Sequence, residues 1–126
     1  MGLTKTIEID GKQVPFKASA AIPRIYRIKF HRDVYKDLAA LEKAVGKNAE
    51  ENSNLDMFSL EMFENIAYIM AKHADPDNVP DSPDDFLEQF NTFSIYEILP
   101  QLIELWGLNI ATQIESKKNI ARLTAR

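Results

Sequence analysis

The stretch Ser94-Ile95-Tyr96-Glu97-Ile98-Leu99-Pro100-Gln101-Leu102-Ile103-Glu104-Leu105-Trp106-Gly107 constrains the fold more than any other part of the chain. Ser94 and Glu97 stand as an S-x-x-E capping box, in which the hydroxyl accepts a first-turn N–H and the carboxylate reaches back to the Ser94 N–H. Gly107 offers a stop signal at the far end. Between them Ile95, Ile98, Leu99, Leu102, Ile103, Leu105 and Trp106 cover more than the stripe of about 100° that a single core asks of a helix. A helix with surplus apolar surface is expected. Tyr96, Leu99, Leu102, Ile103 and Trp106 either pack the chain's own core, as large apolar side chains mostly do, or are the residues that contact a partner, because aromatic anchors among aliphatic neighbours dominate such interfaces. Pro100 removes one backbone hydrogen bond and crowds the Tyr96 carbonyl, so a kink or break is expected there.

Upstream, Thr6-Ile7-Glu8-Ile9-Asp10 and Gln13-Val14-Pro15-Phe16-Lys17 alternate apolar with polar around the turn signal Asp10-Gly11, which predicts a β-hairpin over residues 4–18. A lone hairpin is marginal in water, so it must lie on the helices or pair with another chain. Pro15 must face away from its neighbour strand or sit on an edge. Ile22, Tyr26, Phe30, Val34, Leu38, Leu41 and Val45 then follow at helical spacing, predicting one helix from Ile22 that Gly46 closes. Residues 47–54 read as a loop, and a second helix is predicted from Phe58 to Ala74, ended by Asp75-Pro76-Asp77-Asn78-Val79-Pro80-Asp81. Ser82-Pro83-Asp84-Asp85 opens a third: Ser82 caps, Pro83 fits the first turn, and the aspartates meet the positive helix end. The expected architecture is mostly α, an N-terminal hairpin followed by about four helices in a small irregular bundle. A single domain would span residues 1–109, with a flexible basic tail over 110–126.

The net charge of −4 hides an asymmetry. Arg24, Arg27, Lys29, Arg32 and Lys36 stand together, whereas the carboxylates between Asn48 and Asn91 face only Lys72. The basic set either lies against the acidic helices or forms a docking face. There is no cysteine, which rules out disulfide and thiolate chemistry. No secretory leader and no membrane span of about 20 apolar residues is legible, and a cytoplasmic protein is expected. His31 and His73 lack metal-ligand company, and the Asp75, Asp77, Asp81, Asp84 cluster lacks the glycine and bidentate glutamate of a calcium loop. Glu61 and Glu64 are i, i+3 neighbours with nothing legible to drive their pKa values apart, so they read as a solvated face. No G-x-S-x-G, P-loop or G-x-G-x-x-G occurs. An enzyme, a metal site and a cofactor are therefore not expected. Tyr26, Phe30 and Tyr35 among the basic residues suggest nucleic acid, but the overall acidity argues against it.

The blocks Pro23-Arg24-Ile25-Tyr26-Arg27-Ile28-Lys29-Phe30-His31-Arg32-Asp33, Leu60-Glu61-Met62-Phe63-Glu64-Asn65-Ile66-Ala67-Tyr68-Ile69-Met70-Ala71-Lys72 and Phe93-Ser94-Ile95-Tyr96-Glu97-Ile98-Leu99-Pro100 through Trp106 occur in order. Together they resemble the tail assembly chaperones of long-tailed phages and prophages of Gram-positive bacteria, over residues 3–109. The resemblance implies a helical, non-virion protein of the host cytoplasm that binds the tape measure protein and helps tail tube subunits polymerise around it. Arg24, Arg27, Lys29 and Arg32 would then orient an acidic partner. It also implies a longer frameshifted form, for which Lys117-Lys118-Asn119 could encode the slippery site. A small nucleic-acid-binding regulatory module, and a virion tail subunit that assembles through the hairpin, are the alternatives.

Overall fold

A computed structural model describes residues 2–48 and 57–107, with side-chain surroundings given up to Ala44 in the first of these segments. The surroundings of the Val45 rung lie beyond that limit, and most of the expected 47–54 loop, the 110–126 tail and Lys117-Lys118-Asn119 lie outside the described residues.

Strands β1 (Leu3–Ile9) and β2 (Lys12–Ala18) form a two-stranded antiparallel hairpin. Asp10 and Gly11 both take positive φ, 54° and 79°, as a two-residue type I′ turn requires. Ile9 pairs with Lys12 across that turn, and pairing alternates from there to Thr6 opposite Pro15. Pro15 therefore falls at a non-hydrogen-bonded position, where its missing N–H costs no ladder bond. Ile7, Ile9, Val14, Phe16 and Ala18 turn one face inward, and β2 packs across α3 (Met57–Ala74). At the tip the Asp10 carboxylate accepts the Asn91 N–H at 2.9 Å and the Lys12 ammonium donates to the Gln89 carbonyl. The hairpin is thus held by its own chain.

The long helix predicted from Ile22 is two helices, α1 (Ala21–Phe30) and α2 (Val34–Asn48). His31 leaves the helix at φ 59°, ψ 38°, a left-handed conformation that histidine tolerates better than most residues. Asp33 restarts it, its carboxylate accepting the Tyr35 N–H at 2.9 Å and the Lys36 N–H at 3.4 Å as an N-cap. The apolar rungs on both sides of the break, Ile22, Tyr26, Val34, Leu38 and Leu41, still reach one core. Gly46 does not close α2, which continues to Asn48.

Helix α3 is the axis of the fold, with Met62, Phe63, Ile66, Ala67, Tyr68, Ile69, Met70 and Ala71 all buried. The turn after it is gripped by Lys72, whose ammonium donates to the carbonyls of Pro76 (3.0 Å) and Val79 (2.7 Å) and to Asp81 (2.9 Å). Helix α4 (Pro83–Leu87) starts as its residues dictate: the Ser82 hydroxyl accepts the Asp85 N–H at 3.1 Å, with Pro83 in the first turn. Phe86 meets Phe90 and Phe93 edge-on, and Phe90 and Phe93 are tilted against each other, with ring centroids 5.3 to 5.7 Å apart.

The last described element, α5, covers residues 95–107. Its first turn is closed by the Ile98 N–H on the Ser94 carbonyl at 3.0 Å. Among the described residues no bond joins the Ser94 hydroxyl to Glu97, so the reciprocal capping box is not formed. The helix also runs through Pro100 without a break. Tyr96 and Pro100 are both exposed, so water can satisfy the carbonyl that the proline leaves without a donor. Gly107 is still helical.

Candidate partner-binding face

Of the apolar residues expected to bind a partner, three belong to the chain's own core. Leu99, Leu102 and Trp106 are 1 %, 0 % and 2 % exposed. The Trp106 indole N–H points at the Met70 sulfur, 3.3 Å away, and its ring meets Tyr35 edge-on at 5.6 Å. The surplus stripe of α5 finds its second partner in α2 and α3. Only Tyr96 is exposed, and Ile103 is half-buried.

The basic set divides as well. Arg32 is a structural clamp: its Nε and Nη2 donate to the two oxygens of Asp37 at 2.7 and 2.9 Å, and its guanidinium lies 4.6 Å from the Phe58 ring centroid. Asp37 is buried and also accepts the Tyr26 hydroxyl at 2.6 Å. Burial, then the hydrogen bond to Asp37 and its charge, push the Tyr26 hydroxyl well above the usual phenol range. The same Asp37 bond holds Arg32 above its ordinary value. This triad ties α1 to α2 across the His31 break. Its sequence signal is weak, because Tyr26 and Asp37 are eleven residues apart on different helices.

Lys29 turns toward α3, with its ammonium 5.5 Å from the Tyr68 ring centroid. There it borders a groove of about 330 Å³ that Ile25, Ile69, Lys72, His73 and Asp81 also line. Burial and then the nearby Lys17 charge hold His73 below the usual imidazole range. Asp81 is held low by its hydrogen bond to Lys72 and by the Lys72 charge. Glu64, read from sequence as unperturbed, is raised by burial and by the charges of Glu61 and Asp84. Among the described residues no group of three or more His, Cys, Asp or Glu is placed to hold a metal ion. Nor is any helix there long and apolar enough to cross a membrane.

Arg24 and Arg27 are exposed on the same side of α1 as His31, and Ile28, 58 % exposed, lies one turn beyond Arg24. No ion pair engages Arg24 or Arg27 among the described residues. Arg27 and His31 line a depression of about 340 Å³ that continues to Tyr35. Tyr35 in turn heads a second groove of about 250 Å³ between α2 and α5, lined by Leu38, Ala39, Glu42, Ile103, Trp106 and Gly107. A basic rim and an apolar groove therefore meet at one tyrosine. Arg27 and Ile103, predicted separately, are brought onto one surface, together with Tyr35, read from sequence only as an aromatic among basic residues, Leu38, read as a core rung, and Ala39, which the sequence did not single out. Helical spacing alone cannot say which face of α2 is left uncovered.

No family of known proteins, no curated protein and no solved structure matches this chain.

Proposed function

We propose that the protein is a non-enzymatic phage tail assembly chaperone of the bacterial cytoplasm, which binds the tape measure protein while tail tube subunits assemble around it. The resemblance in the three ordered blocks motivates this reading. The observation that carries it is the surface on which Arg27 of α1, in no ion pair among the described residues, and the apolar groove between α2 and α5 meet at Tyr35. Such a surface suits reversible capture: the groove supplies apolar contact, and the rim arginines raise the encounter rate and select orientation. The blocks themselves form α1, α3 and α5, so most of their apolar residues act by building the scaffold that presents this surface.

Co-expression with the product of a very long, coiled-coil-rich gene just downstream tests the proposal. Co-purification of the two, with the chain absent from finished particles, is the expected result. Recovery of the chain in purified particles, or binding to DNA that weakens steeply with salt, would replace it with one of the alternatives.

A further inference from the structure

We infer that the face centred on Tyr35 docks one acidic amphipathic helix, its apolar side in the α2–α5 groove and its carboxylates on Arg24 and Arg27. This rests on the chaperone reading for its biological setting and on the geometry for its chemistry. The groove follows α2 from Tyr35 to Glu42, two helical turns or about 10 Å, which matches apolar side chains at i, i+4 and i+7 of a bound helix. Its floor is made of Leu38, Ala39, Ile103 and Trp106, with Glu42 as its one carboxylate.

Past Tyr35 the surface changes sign. Arg27 and His31 follow, with Arg24 and the exposed Ile28 one turn away on α1. Of the other charges there, Asp33 caps α2 and Arg32 is taken by Asp37, whereas among the described residues no ion pair engages Arg24 or Arg27. These two guanidinium groups stand on a chain whose net charge is −4. Charge complementarity thus selects an acidic occupant over a basic one, and the apolar floor selects an amphipathic helix over a polyanion.

The probes are a synthetic amphipathic helix with leucines on one face and glutamates elsewhere, and its counterpart with lysines for glutamates. Trp106, the only tryptophan, lies in the groove and reports occupancy by its emission. The glutamate peptide is expected to shift that emission and to bind at least about tenfold more tightly than the lysine peptide, with the difference shrinking at high salt. Arg24→Glu with Arg27→Glu, at exposed positions, should reverse the preference while leaving the circular dichroism unchanged. Ile103→Asp should weaken both peptides. Equal binding of the two peptides, insensitivity to the charge reversal, or self-association of the chain that the reversal abolishes would overturn the inference. Failure here is separable from failure of the chaperone reading. If the glutamate peptide docks but the tape measure product does not co-purify, the docking inference stands alone. If the product co-purifies and the charge reversal leaves its capture intact, the chaperone reading stands and the docking inference falls.

Discussion

Helices α1 and α5 carry opposite kinds of excess, and the fold treats them oppositely. On α5 the excess is apolar, and α2 and α3 absorb it until Leu102 and Trp106 are lost to solvent. On α1 it is charge. Lys29 leans over Tyr68 and Arg32, just past the helix end, is bound by Asp37, while Arg24 and Arg27 stay on the surface beside the exposed Ile28. The lesson is that a broad apolar stripe marks a helix with several neighbours in its own chain before it marks a docking site. Apolar area is stabilised by any cover, whereas a guanidinium is costly to bury without a carboxylate positioned for it.

The strongest way to break this contrast is to truncate the α5 side chains. Trp106→Ala is expected to lower unfolding free energy by about 4 kcal/mol and Leu102→Ala by about 3 kcal/mol, read from urea midpoints. A near-neutral Leu102→Ala that lost partner capture would move Leu102 from the core to the docking surface.

Asp37→Asn asks whether the clamp is what holds part of α1 in the fold. It should cost about 2 kcal/mol, below the range for a fully buried pair because the Arg32 side chain is 41 % exposed and can rehydrate. A thermal melt unchanged from the parent would show that the triad is dispensable. Ser82→Ala, which removes the α4 cap, is expected to cost about 1 kcal/mol and serves as a local reference far from the contrast.

A smaller effect should appear with pH. Because burial and Lys17 disfavour the His73 imidazolium in the folded state, the unfolded chain takes up the proton first as pH drops below about 6.5. The His73 contribution is present above that pH and is lost as pH falls through its depressed folded value. Between pH 7 and 5.5 stability should decline, and His73→Gln should flatten the decline; an equal slope in the variant would assign it to other groups. Smallest of all, Ile28→Ser is expected to change stability by less than about 0.5 kcal/mol. A loss of core size would mean that α1 is covered on both sides.

Local chemistry was legible from residues alone. The Asp10-Gly11 turn, the Pro15 register, the Ser82-Pro83 start and the apolar run of α3 all follow from preferences acting within a few positions. Asp33 was legible in principle, since an aspartate before an apolar-periodic run is an N-cap signal. The continuous rungs from Ile22 to Leu41 concealed it by keeping helical spacing across the break.

By itself, then, the sequence determined a hairpin followed by helices and the burial rhythm of each, because hydrogen bonding, turn geometry and amphipathic period are properties of neighbouring residues. Which apolar stripe found cover, which arginine met a carboxylate, and that Arg27, Tyr35 and Ile103 share a surface were decided only by the tertiary structure. Those outcomes depend on contacts between residues distant in the chain, such as Trp106 with Met70 and Tyr26 with Asp37, and no local period encodes which of several apolar or charged faces will meet.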